Sequence, residues 1–475
     1  MQHLPSRVHP LLEERELFRV RAPGRARTRL RLCKIVEVRP TLDVAPLDET
    51  SMVNDALKWD HPQYSISHGM FQRVLHWMEM MYGHCMSVEQ WSKERVFHEL
   101  WKNKDKACGA PWCYVYGPTK GDVLISLLLT HGTQEAVVDY LIECALNHDH
   151  IINFVQKDEL RPIGKDSRGL SPSPIDVVAL GLWLCGAQNE SIMSWHMELP
   201  IRIGLEVPGS EAYYFWLSFM KHPGESHQAD GKSWDKRFMK FLAMLCREFR
   251  KKHVSAELWH SFDLYYDSCY DFLINYGGSV LNVIGQQSGQ VNTHMDNSLG
   301  HLFVLMIHAL REGLSFDEFE KLWVAIVGDD LLLKDPIGCF VPSRMANTYN
   351  YYGMYNEAPS EYEDPLDATF CGMKPMKRNV LGMEKILYAF DSDKMKERMN
   401  WVKKGMTPSQ MLAKYCAIAS LVFADKEVFE QLREVCRRFA IEERHSLDRA
   451  SVQLVTYLDD LHQLNHYCGY EPARI

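Results

Sequence analysis

Between residues 51 and 155 apolar side chains recur every three to four positions. The faces they form are rich in aromatics and methionine, as in "GMFQRVLHWMEMMYGHC". That period predicts amphipathic helices, and faces of that composition predict packed core. Two stretches break the rhythm. "NKDKACGAPWCYVYGPTKGD" and "KDELRPIGKDSRGLSPSPID" (Lys157–Asp176) are dense in charge, Gly and Pro, which predicts irregular backbone. Helical spacing resumes over Trp234–His253, where Lys and Arg in the last turn suit the helix dipole, and again over Asn292–Glu312. Then the pattern shortens. Trp323–Val327 and Leu331–Leu333 are apolar runs of strand length, and Gly328-Asp329 between them fits a two-residue hairpin loop with Gly first. From about residue 376 helical spacing dominates, ending in "SVQLVTYLDDLHQLNHY".

The hairpin raises a chemical question. It pushes Asp329 to its tip and lets Asp330 open the second strand, so two carboxylates stand together on a rigid apolar base. Close like charges repel, and one tends to protonate. A divalent cation removes the conflict, and Mg²⁺ prefers carboxylate oxygens together with waters and phosphate. Upstream, "QADGKSWDKRF" carries Asp230 and Asp235 as D-x4-D at a strand-to-helix junction. Asp230 is placed to meet Asp329 across a sheet. Asp235 at a helix start is equally suited to cap backbone N–H groups. Between the two sites, "GQQSGQVNTHMDNS" (Gly285–Ser298) is a loop that feeds a helix, with Thr293 and Asn297 at i and i+4 on one face. Two hydrogen-bonding side chains there suit a ribose.

Composition narrows the setting. The 475 residues carry a formal net charge of −9, which argues against a simple nucleic-acid coat but allows a basic channel inside an acidic shell. Hydrophobic residues make up 46% of the chain, enough for a large core and more than one lobe. The 13 cysteines are scattered, odd in number and without C-x-x-C or zinc spacing, so they read as reduced thiols of a cytosolic protein. Apolar stretches such as "DVVALGLWLCG" are too short to span a bilayer, and "MQHLPSRVHP" lacks an apolar signal core. Arg19–Lys34 is strongly basic, and Arg27, Arg29 and Arg31 alternate. That spacing predicts an extended arm or edge strand, read either as a solvated tail or as a nucleic-acid contact.

In order along the chain, D-x4-D, S-G-x3-T-x3-N-S and G-D-D resemble motifs A, B and C of the viral RNA-dependent RNA polymerases. Lys157–Asp176 is similar to their motif F, "KACGAPW" (Lys106–Trp112) to motif G, and "ATFCGMK" (Ala368–Lys374) to motif E. The wording is closest to the positive-strand picornavirus-like group, in its astrovirus- and potyvirus-like branch. The resemblance implies an α+β right hand of fingers, palm and thumb, with an antiparallel palm sheet flanked by helices and helix-rich fingers and thumb. The implied division is a basic N-terminal arm over 1–50, fingers over 51–222 and a palm over 223–375. A fingers insertion would interrupt the palm at about 250–280, and a helical thumb would fill 376–475. It implies that Asp230 and Asp329 hold two Mg²⁺ ions, with Mn²⁺ as an alternative, and that Asp330 is a lesser or water-mediated ligand. Asp235, Asn297 and Thr293 would read the 2′-hydroxyl of the incoming nucleotide. Ser288 and Gly289 would form a flexible loop beside the template, while Lys157, Arg161, Lys165 and Arg168 would line the nucleotide channel. The implied partners are template and nascent RNA, NTPs and other viral replication proteins. The implied setting is the host cytoplasm, at replication membranes reached through partners rather than an intrinsic anchor.

Two departures from the family pattern stand out. The stretch between Arg161 and Lys165 is short. Between Lys334 and Lys374 there is no lysine to serve as the family's motif D general acid, and Arg344 is the only basic side chain there. An arginine stays protonated and donates a proton poorly, so Arg344 is read as an electrostatic group. Three other readings remain open on sequence: a reverse transcriptase, a two-metal nuclease and a polymerase-like RNA-binding scaffold without activity. Asn297 with Asp235 speaks against the first, the motif B loop-helix against the second, and the intact aspartates against the third.

Overall fold

The computed structural model describes residues 30–469 except 232, 355–359 and 363. It opens with two short strands, β1 (Leu30–Leu32) and β2 (Leu42–Val44), and then turns helical from Glu49 to Asn147. Where Gly, Pro and charge crowd the sequence, short strands take over: β3 (Ile151–Asn153), β4 (Val155–Gln156), β5 (Leu160–Pro162) and β6 (Gly169–Leu170). Helices Ile175–Ser194 and Ser210–Lys221 lead to β7 (Glu225–Asp230). The stretch expected as one helix over Trp234–His253 is two, Trp234–Arg237 and Lys240–Lys251. Phe238 and Met239 between them adopt extended ψ values of 113° and 147°, and both side chains are fully buried. A Cβ on Gly300 would lie 2.4 Å from the Phe238 ring, so the break admits that ring beneath a later helix.

After the Trp259–Tyr270 helix come β8 (Asp271–Tyr276) and β9 (Ser279–Ile284). β8 pairs in parallel with β3, which ties residues 271–284 back to the N-terminal half. The helix Thr293–Arg311 then precedes β10 (Trp323–Val327) and β11 (Asp330–Asp335). A helix over Pro342–Tyr351, β12 (Ser360–Tyr362), and β13 (Met373–Val380) with β14 (Met383–Phe390) follow. Helix Ser392–Met399, β15 (Trp401–Lys403) and further helices, including Pro408–Leu421 and Lys426–Glu442, complete the described chain.

The central sheet has the order β10-β11-β7-β12, antiparallel throughout. Its apolar runs are continuous because both faces are covered. Val324, Ile326, Leu331 and Leu333 enter a core built with the N-terminal and central helices. Trp323, Ala325 and Leu332 alternate to a second core, built with helix Ser210–Lys221, β13, β14 and the C-terminal helices. Val327 pairs with Asp330, so Gly328 and Asp329 form a two-residue loop. Gly328 takes φ +62° there and Asp329 does not take positive φ, as a Gly-first turn requires.

The region from 376 corrects the helical reading, because a hairpin comes first. β13 and β14 pair from Met373↔Phe390 to Val380↔Met383, and their turn places Leu381 at φ +53° and Gly382 at +82°. Buried Arg378 hides the strand pattern. Its guanidinium lies 4.0 Å from the Phe423 ring centroid and 2.7 Å from Asp460.

A strap formed by the first described residues crosses the molecule. β1 pairs with β15, and the Asn400 side chain accepts from the N–H groups of Ile35 and Val36 at 2.8 and 2.9 Å while donating to Val36 O at 2.8 Å. Buried Glu397 accepts from Thr41 N, Thr41 Oγ1 and Leu42 N at 2.6–3.1 Å. β2 then pairs with β5. In the following helix, Glu49–Ala56, Ser51 and Asn54 donate to Asp166, and Asp55 forms a buried ion pair with Lys236. Arg31 lies on β1 with its guanidinium 3.8 Å from Met411 Sδ; Arg27 and Arg29 lie outside the described residues.

Candidate active site

The β7–β11 register sets Asp230 directly opposite Asp330, and Asp329 occupies the adjoining turn. Burial pushes the Asp329 carboxyl up to about 7, and the charges of Asp330, Asp230 and Asp235 add to it. Asp330 is pushed up to about 6 by burial and by Asp230, against a hydrogen bond from the Cys371 thiol. These are hard oxygen donors whose like charges lie close together, the donor set that Mg²⁺ and Mn²⁺ favour. Among the described residues, no three carboxylate, His or Cys groups converge to enclose an ion by themselves.

Asp235 does not act as a simple helix cap. Its Oδ1 accepts from Asn297 Nδ2 at 2.5 Å and its Oδ2 from Ser288 Oγ at 3.4 Å. Burial raises its carboxyl above the ordinary value, and the Asn297 bond offsets only part of this. Thr293, one turn before Asn297, directs its hydroxyl to Gln287 O at 2.8 Å and Gln290 O at 2.9 Å, which fixes the loop to its helix. The Thr293 proton is therefore engaged, and its oxygen is what remains to accept.

Three of the four expected channel cations meet on one carboxylate. Arg168 makes a two-point bond to Glu159 at 2.7 and 2.8 Å, Lys157 lies at 3.1 Å and Arg161 at 3.8 Å. Burial works against ionising Glu159, but the bonds from Arg168 and Lys157 outweigh it and hold the carboxyl below its usual value. Arg168 is held charged by Glu159 first, and also by Asp329 and Asp235. Lys165 sits apart, exposed in the turn after β5.

The sequence matches the family described as "Viral RNA-dependent RNA polymerase" over residues 39–439. The chain belongs to that family. Among solved structures it is similar to "Sicinivirus 3Dpol RNA dependent RNA polymerase", with a TM-score of 0.74, 14% identity, and coverage of 94% of this chain and 98% of that one. At that identity the likeness is one of fold, and the expected α+β polymerase fold is borne out. Two curated relatives are genome polyproteins, of Bean yellow mosaic virus (23% identical over 220 residues) and of Zucchini yellow mosaic virus, strain Singapore (27% over 201). The matches take in 44% and 39% of this chain but only 7% and 6% of the polyproteins, so the chain spans a small part of their length.

In this polymerase-family chain the motif B loop is packed against the end of motif F. Gly289 is required there, since a Cβ would fall 2.7 Å from Pro172 Cα and 2.8 Å from Ser173 N. Ser171 Oγ accepts from Ser288 N at 2.9 Å, and Ser173 Oγ donates to Gln287 Oε1 at 2.5 Å. Several residues escaped the reading of the sequence. Glu159 was visible within "KDELR", but its hub role depends on the β4–β6 pairing that folds Arg168 back beside Lys157. Asp296, next to Asn297, accepts from Arg250 at 2.8 Å and from the Tyr266 and Tyr270 hydroxyls at 2.8 Å each, all buried. No local pattern announces a contact among three helices. Arg344 is a correction. It bonds Glu312 at 2.8 Å, just beyond the far end of helix Thr293–Arg311, about 22 Å along the axis from Asn297. Its expected electrostatic role at the acidic centre has no geometric support. All thirteen cysteines lie among the described residues and are unpaired. No described helix is long and apolar enough to cross a membrane.

Proposed function

We propose that this chain copies an RNA template into RNA by nucleotidyl transfer from NTPs, with two divalent cations held at Asp230, Asp329 and Asp330. The observation that carries the reading is the half-buried, mutually repelling carboxylate cluster at the end of the central sheet, close enough to Asp235, the partner of Asn297, to feel its charge. Bound there, Mg²⁺ or Mn²⁺ would supply charge neutralisation and Lewis acidity as a primer 3′-oxygen bonds to the α-phosphate and pyrophosphate leaves. The remaining work falls to this chain's own side chains. Asn297 and Asp235 read the ribose 2′-hydroxyl, and Thr293 holds the loop that carries Ser288 and Gly289 beside the template. Arg168, Lys157 and Arg161 neutralise the triphosphate, with Glu159 keeping Arg168 in place before the nucleotide arrives. Lys165 serves the outer part of the channel.

In this reading residues 51–222 form the fingers, 223–375 the palm and 376–475 the thumb. The strap over 30–56 joins thumb to fingers. The polyprotein relatives support a viral setting in the host cell; a place among other replication proteins, with membrane attachment through them, is part of the proposal. The test is primer extension on an RNA template with Mg²⁺ or Mn²⁺, comparing NTPs with dNTPs. Template-dependent extension with NTPs supports the reading. RNA binding without extension would favour a scaffold, and preferential use of dNTPs a reverse transcriptase.

A further inference from the structure

We propose that Ser298 and His301 are positioning residues that grip the Gly328 peptide from the neighbouring helix and so fix the carboxylate turn. The need for a grip follows from the turn itself. Gly328 is buried, yet it lies in the two-residue loop, outside the strand ladder. A buried peptide group without a partner is costly. Helix Thr293–Arg311 meets both ends of that residue. Ser298 Oγ accepts from Gly328 N at 2.8 Å and donates to His294 O at 2.9 Å. His301 Nδ1 lies 3.2 Å from Gly328 O, and because the carbonyl only accepts, that nitrogen carries the proton. Burial pushes the His301 imidazole down to about 4, so the ring is neutral at working pH.

The spacing is what makes the contact a clamp. His294, Ser298 and His301 stand at i, i+4 and i+7, a single helix face. The His294 ring covers the third side, with Cδ2 3.6 Å from where a Cβ on Gly328 would stand. His301 reaches further. Its ring packs on Trp234, the neighbour of Asp235, at 4.7 Å, and edge-on against Tyr349 of helix Pro342–Tyr351 at 5.5 Å. One imidazole thus touches the D-x4-D segment, the G-D-D turn and the helix after it, while standing on the helix that presents Asn297. Repulsion between Asp329 and Asp330 tends to open the turn, and the clamp opposes it at the residue where the turn bends.

This inference rests on Asp329 and Asp330 being the carboxylates that hold the cations, and the experiment separates the two ideas. Mn²⁺ affinity is measured without RNA or nucleotide, from the electron paramagnetic resonance signal of free Mn²⁺, on the full chain at matched melting temperature. Ser298→Ala and His301→Leu should each weaken Mn²⁺ binding about 3–10-fold and lower single-nucleotide incorporation about 10-fold, the scale of one lost buried hydrogen bond. The ATP/dATP preference should not change, because Asn297–Asp235 is untouched. Ser298→Thr and His301→Asn, which keep a group at the bonding position, should recover most of the loss. Asp329→Ala is the control. If it binds Mn²⁺ like the parent, the carboxylate reading fails. If it loses Mn²⁺ while Ser298→Ala and His301→Leu bind it normally, the clamp is overturned. If those variants do not fold, His301→Gln, whose amide reaches past the Nδ1 position, is compared with His301→Asn, and equal Mn²⁺ affinity overturns the clamp.

Discussion

At the scale of single residues, the acidic centre trades stability for charge. Burial holds Asp329 near 7 and Asp330 near 6, both above the ordinary value of 3.8. Folded protein without cation therefore retains protons that the unfolded chain has released between about pH 4 and pH 7. That contribution to stability is fully present below the unfolded value and is lost as pH rises through 6 to 7. The melting temperature without metal should fall from pH 5 to pH 8 for this reason, and the increment on adding Mn²⁺ should grow over the same interval, because binding displaces protons. Equal increments at pH 5.5 and pH 8 would show ordinary carboxylates. Asp329→Ala should lower nucleotide addition by about 10²–10³-fold or more, yet leave the metal-free melting temperature equal or higher, since a buried repelling charge is removed. Loss of activity only in step with loss of folding would contradict the assignment. Asn297→Ala removes the bond to Asp235 and should cut the ATP over dATP preference in kcat/KM by about 10–100-fold, the effect of a polar site that loses its hydroxyl recognition. An unchanged ratio at normal activity would make Asn297 a structural residue.

At the scale of elements, what could be read from sequence and what could not follow from where the information lies. The β10–β11 hairpin was legible because Trp323–Val327 and Leu331–Leu333 are apolar on both faces and a Gly-Asp-Asp step separates them. The helix bearing Thr293 and Asn297 was legible because its period is unbroken. The β13–β14 hairpin was not, because Pro375 and Arg378 occupy inward positions and erase the alternation. The break at Phe238–Met239 was not, because both residues are apolar and fit a helix locally; only the facing Gly300 makes room for the turn inward. The aspartates and the Thr293–Asn297 pair of the candidate site were legible as residue types at fixed spacing. Their partners were not, since Glu159 meets Arg168 only when the β4–β6 pairing folds the chain back, and Ser298 and His301 meet Gly328 only across the fold. The motif F segment offers a test at this scale. Glu159→Gln keeps the shape but removes the charge that binds Arg168 at two points, and KM for NTP should rise about 5–10-fold with kcat less affected, as expected for a charge-assisted bond that pre-arranges a cation. A KM equal to the parent's would mean Arg168 is positioned by its backbone alone.

Across the whole molecule, the central sheet separates two cores, and the segment from residue 30 to residue 56 pairs with β15 at one end and with β5 further along. Asn400→Ala would leave the N–H groups of Ile35 and Val36 and the carbonyl of Val36 without their partner and should cost about 2–4 kcal/mol, measurable by denaturant unfolding. A change below about 0.5 kcal/mol, the range of ordinary surface substitutions, would show that the strap carries little load. The same contact has a consequence for how the protein is made. Val36 and Asn400 are 364 residues apart. Contacts at such separation form late, and a ribosome adding about 5–20 residues per second needs roughly 20–70 seconds to travel between them. Throughout that interval β1 has no β15 to pair with, and Ile35 and Val36 have no Asn400. Ribosome-bound chains stalled before residue 390 should be cut by protease within residues 30–44, while released full-length chains should resist. Protection of residues 30–44 would then record that translation has passed Asn400 and that the strap has found its partner.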